Sequence, residues 1–157
     1  MKPWKLLTIL LMAAVLAACA TGPRRVSEPA ASIQQLSVGA DGAWALELRL
    51  QNYSSIPMRF ESLRLELSVG GESAGVLEIA PALTVGPESA DIVEVALQPS
   101  AQGRLQAADA LAAGRRLTYR IDGTLRAAPD DRRSARDYKV RHDSALSPVP
   151  GLPGVMR

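Results

Sequence analysis

The stretch AWALELRLQNYSSIPMRFESLRLELSV, residues Ala43 to Val69, decides the fold of this chain. Trp44, Leu46, Leu48 and Leu50 alternate with Glu47, Arg49 and Gln51. A period of two puts apolar side chains on one face of a strand and polar ones on the other, so this segment reads as a strand with one face in a core. In the second run the apolar set is Met58 and Phe60, then Leu63, Leu65, Leu67 and Val69. Its frame slips by one residue at Glu61 and Ser62, and a bulge there keeps both sets facing inward. Between the runs, Asn52 closes one strand and Pro57 opens the next. Asn can bond its own backbone and tolerates unusual dihedrals, and Pro fixes φ, so both read as turn architecture.

The same alternation extends outward. Ser32 to Val38 is a weaker early strand, GGESAG reads as a turn, and VLEIAPAL and ADIVEVALQ as strands, the latter with Val93, Val95 and Leu97 inward. RRLTYRIDGTLRA alternates Leu117, Tyr119, Ile121 and Leu125 against polar neighbours, and RDYKVRHD closes the set through Tyr138 and Val140. One segment departs from it: RLQAADALAAG spaces Leu105, Ala108 and Leu111 by three, is rich in alanine and ends on Gly114, the pattern of a short connecting helix. About seven short strands separated by turns predict an all-β antiparallel sandwich over residues 32–143, with a closed barrel as the alternative. The proline-bearing residues 144–157 predict an extended, largely unpaired tail.

The amino-terminal side predicts an address. Lys2 and Lys5 precede an uncharged run from Leu6 to Ala18. At 1.5 Å per residue that run spans about 20 Å, short of a bilayer's roughly 30 Å core, so residues 1–18 read as a signal peptide and not as a transmembrane helix. The following LAAC resembles the bacterial lipobox, in which the cysteine thiol accepts a diacylglyceryl group and becomes the first mature residue; the expected lipidation site is therefore Cys19. Two or three acyl chains, at about 0.8 kcal/mol per buried methylene, hold a protein to a membrane without crossing it. Ala20 follows where an aspartate would favour inner-membrane retention in that pathway, so the resemblance implies the periplasmic face of the outer membrane. Residues 19–31 read as the lipidated cysteine and a flexible tether, in which Arg24 and Arg25 are within reach of anionic lipid.

Removing 18 of 157 residues leaves 139, enough for one domain. It also removes two of 18 basic residues and leaves 16 against 16 acidic ones, which gives no basis for nucleic-acid binding. Cys19 is the only cysteine, so no disulfide supports the fold.

The order of elements now becomes specific. A tryptophan-led strand ending in LQNYSSIPMRFESLRLELSVGG, then VGPESADIVEVAL, a small helix and YRIDGTLRA resemble the late embryogenesis abundant group 2 family, also called the water stress and hypersensitive response domain. The resemblance covers about Ser32 to Val140. Asn52 and Pro57 match the outer positions of the family's asparagine-and-proline signature, and Tyr53 stands where its first proline commonly does. The resemblance implies an immunoglobulin-like or fibronectin-III-like sandwich, an association with desiccation and water stress, and no defined catalytic residues.

Chemistry-bearing residues are sparse. His142 is the single histidine, which offers no metal-ligand spacing, and lipidation of Cys19 would leave no thiol for a Cys/His pair. Asp130 and Asp131, beside arginines and a proline, read as a hydrophilic hairpin loop. SVGGES and TVGPES lack the lysine and the helix of a phosphate loop. The expectation is a non-enzymatic protein with no cofactor and no metal, its partners being a membrane through Cys19 and, in one reading, an envelope protein complex. Two functions fit: protection of envelope surfaces when water is scarce, or an accessory module docking by an edge strand or the tail.

Overall fold

A computed structural model describes residues 24–131 and 134–157. The expected signal peptide and Cys19 lie outside the described residues. Strands β1 (Ala30–Val38), β2 (Trp44–Gln51), β3 (Met58–Val69), β4 (Glu72–Ile79), β5 (Leu83–Val85) and β6 (Ala90–Leu97) are followed by helix α1 (Ala101–Ala112), then β7 (Leu117–Pro129), β8 (Arg136–Leu146) and β9 (Val155–Met156). They form two antiparallel sheets, one ordered β6-β2-β1-β9 and the other β4-β3-β7-β8 with β5 paired to β3.

The inner faces are those the alternation marks. Leu36, Trp44, Leu46, Leu48 and Leu50 from the first sheet meet Phe60, Leu65, Leu67, Ile121 and Leu125 from the second in one buried cluster. Transfer of such side chains from water, at about 25 cal/mol per Å² of apolar surface, is what drives the sheets together. The slip in β3 is a bulge: Phe60 faces Ala127 and Ser62 faces Arg126, which leaves Glu61 as the extra residue. Glu61 takes Arg59 at 3.0 Å and Arg126 at 3.3 Å. Gly123 interrupts the inward series of β7 because a Cβ there would lie 2.1 Å from the Arg64 carbonyl oxygen.

Three expectations are corrected. The sheets hold nine strands among the described residues, because Pro81 and Ala82, the latter with φ at +49°, divide the expected VLEIAPAL strand into β4 and β5, and because β9 exists. The carboxy-terminal residues are not an unpaired tail: β8 continues to Leu146, Ser147 and Arg157 exchange backbone hydrogen bonds, Pro148 bridges Met156, and Met156 is fully buried beside Leu36. The described part of the tether is also held, since β1 starts at Ala30 and Arg25 bonds the loop after β2. The expected connecting helix is present, and α1 buries Gly103, Ala107 and Ala110, while Leu105 is 61% exposed. Small residues win that face because the helix backbone lies close over β4, where a Cβ on Gly103 would stand 2.9 Å from the Ala74 Cβ.

No helix among the described residues is long and apolar enough to cross a membrane.

Candidate functional site

Two loops cross between the sheets at the same end of the sandwich, residues 52–57 from β2 to β3 and 86–89 from β5 to β6, and Asn52 joins them. Its backbone N–H donates to the Ser89 carbonyl at 2.8 Å. Its side-chain Nδ2 donates to the carbonyls of Ile56 at 2.9 Å, Val85 at 3.1 Å and Gly86 at 2.8 Å, and its Oδ1 accepts from the Ser54 N–H at 2.8 Å. Asn52 and Ser54 are the buried polar residues of the described chain, both without exposure. A side chain with a donor and an acceptor is required here, because each backbone group it meets would otherwise be desolvated without a partner. Pro57 immediately precedes β3, and its carbonyl accepts from the Asp130 N–H at 3.0 Å. Tyr53, by contrast, points outward and is 51% exposed.

The amino-terminal segment is threaded through the same hub. The Arg25 N–H donates to Ser55 Oγ at 2.8 Å, and the Ser55 N–H returns a bond to the Arg25 carbonyl at 3.0 Å. Ser54 Oγ accepts from the Ser27 N–H at 3.0 Å and donates to the Ser27 carbonyl at 3.2 Å. The Arg25 guanidinium reaches the Tyr53 carbonyl at 3.1 Å and Glu88 at 2.8 Å. Arg24 pairs with Asp131, and Asp130 lies 4.0 Å from Arg59. Both aspartates of the expected hairpin loop thus face arginines.

His142 sits half-buried on β8 with its ring centroid 6.0 Å from that of Tyr119, and no ion pair engages it among the described residues. The Tyr119 hydroxyl crosses the core, accepting from the Ile33 N–H at 3.1 Å and donating to the Ile33 carbonyl at 3.3 Å. Burial raises its pKa above 10.0, against the lowering effect of the bond accepted from the Ile33 N–H and of a bond with the Ser144 side chain. No group of three or more His, Cys, Asp or Glu side chains is placed to hold a metal ion among the described residues.

The outer face of β7 and β8 carries facing charges. Arg120 pairs with Asp143, Arg141 with Asp122 at 3.1 Å, and Arg126 with Asp137 at 3.1 Å. At the opposite end of the sandwich a shallow groove runs between Leu111 of α1 and the turn Pro148 to Gly154, with Leu152 half-exposed. The sequence had no signal for this groove beyond the prolines, because its walls come from segments far apart in the chain.

The arrangement of these elements can be compared with known proteins. The late embryogenesis abundant protein profile matches residues 47–141, well over half of the chain. The chain belongs to the late embryogenesis abundant family. Its solved structural neighbours include a protein from Archaeoglobus fulgidus, 14% identical over 80% of this chain and 98% of that one with a TM-score of 0.44. A protein from Arabidopsis thaliana is 12% identical over 82% of this chain and 84% of its own, with a TM-score of 0.48. A putative late embryogenesis abundant protein is 14% identical over 92% of this chain and 78% of its own, with a TM-score of 0.49. No curated protein sequence matches the chain.

Proposed function

We propose that this chain is a non-enzymatic lipoprotein, anchored through Cys19 to the periplasmic face of the outer membrane, whose sandwich protects or stabilises the envelope under water stress. The family match over residues 47–141 carries the water-stress part of this reading, and the lipobox-like run from Leu16 to Cys19 carries the anchor. With it belongs the finer description of the sandwich as immunoglobulin-like or fibronectin-III-like. The physics of the surface supports it: the facing charges of β7 and β8 attract more strongly as the surrounding dielectric constant falls, so the sheet gains internal cohesion as water is withdrawn. Large apolar side chains at the surface, such as Val76, Ile92 and Leu105, are scattered over different elements, which fits weak, many-sited contact better than one concentrated interface.

The groove between α1 and the 148–154 turn favours a second reading, an accessory module docking on an envelope complex. Deleting the gene and measuring survival of drying and hyperosmotic shock separates the two. The protective reading expects survival to fall, to return with the wild-type chain and not with Cys19→Ser. Unchanged survival contradicts it.

A further inference from the structure

The hub bonds determine how the domain would meet a membrane. This inference rests on the anchored reading above. If residues 20–31 were free, the domain could tumble above the surface. The structure instead fixes Arg25 and Ser27 to the loop of Tyr53, Ser54 and Ser55 by four backbone-to-loop hydrogen bonds of 2.8 to 3.2 Å, and secures Arg25 to Glu88. Only the chain between Cys19 and Arg24 then remains as a spacer. Five peptide steps reach at most about 18 Å.

That short reach acts on one end of the sandwich. β2 runs from Trp44 beside the α1 end to Gln51 beside the hub, eight residues, or roughly 25 Å at 3.3 Å each. The hub end is therefore held within that reach of the headgroups, and a domain standing on it turns its α1 end away. Its surface suits that position. Tyr53 is 51% exposed in the loop after β2 and Val26 42% exposed in the segment before β1, while the guanidinium groups of Arg24 and Arg25 pair with Asp131 and Glu88. An aromatic ring with a polar tip is a side chain favoured at the membrane–water boundary.

We propose that the loop end carrying Tyr53 and Val26 is a lipid-facing surface, seated on the bilayer by the hydrogen-bonded amino-terminal segment, with α1 and the 148–154 groove directed away from the membrane.

The test uses the full-length acylated protein in vesicles of phosphatidylethanolamine and phosphatidylglycerol. Nitroxide labels on Tyr53→Cys and on Leu105→Cys are compared for collision with water-soluble nickel chelate and lipid-soluble oxygen. The expected result is several-fold lower nickel accessibility at position 53, lost when about twelve Gly/Ser residues, roughly 20 Å of typical span, are inserted between Gly22 and Pro23. Equal accessibility at both positions in protein that floats with the vesicles overturns the orientation and leaves the anchor standing. Protein that carries no acyl chain and does not float overturns the anchor and the orientation together.

Discussion

At the hub end of the sandwich, order comes from hydrogen bonds: Asn52 and Ser54, fully buried, tie the loops 52–57 and 86–89 to the segment before β1. At the α1 end it comes from close apolar packing, with Gly103 against Ala74 and Met156 sealed beside Leu36. The difference teaches what each end tolerates. A polar hub fails when one partner is removed, since the others are left desolvated, whereas a packed end loses stability in proportion to the volume deleted.

Asn52→Leu should therefore have the largest effect. It leaves the carbonyls of Val85 and Gly86 and the Ser54 N–H without their partner, at a cost of about 4 kcal/mol or more when several buried groups go unpaired. Trp44, the single tryptophan after residue 18 and 1% exposed, reports the loss as a lower denaturant midpoint. If Asn52→Leu costs no more than a surface substitution, the hub is not what orders that end. Met156→Ala tests the packed end, with an expected loss of about 3 kcal/mol from the cavity beside Leu36. A midpoint indistinguishable from wild type would return the carboxy-terminal residues to the status of a tail.

Tyr119→Phe sharpens the comparison, because its hydroxyl is a polar link within the apolar region. Removing it should cost about 1 kcal/mol near neutral pH. Burial disfavours the phenolate, so the unfolded chain gives up this proton first; the contribution is complete below pH 10 and is lost as pH rises through the folded pKa. Stability of the wild type should fall along that alkaline limb more steeply than that of Tyr119→Phe, and parallel curves would contradict the assignment. The smallest effect belongs to the β7–β8 charges. Replacing Arg120 and Arg141 by Gln should change stability in dilute buffer by less than about 1 kcal/mol, since these side chains are more than half exposed. The same variant should recover less folded protein after drying and rehydration, and equal recovery would remove the charges from the protective mechanism.

The strands were legible because alternation of Leu with Arg, Glu or Gln survives in the sequence, including the one-residue slip that becomes the Glu61 bulge. The helix face was not, since burial there follows backbone approach over Gly103, Ala107 and Ala110, and the more apolar Leu105 is left outside. The prolines of the last eleven residues argued against pairing, yet Pro148 needs no N–H to bridge Met156, and Val149 and Val155 bond across the turn at 2.9 Å. Asn52 and Pro57 could be read as turn residues, but nothing local to them marks Arg25, Ser27 or Ser89 as their neighbours. Those contacts are set by topology, between segments 27 or more positions apart.

The most direct test of the protective reading is in-cell crosslinking of the native, full-length protein, with pull-down and mass spectrometry, in cells grown normally and under osmotic stress. The account predicts a diffuse set of envelope neighbours that grows with stress. One stoichiometric partner, present equally in both conditions, would contradict it and make this chain an accessory subunit.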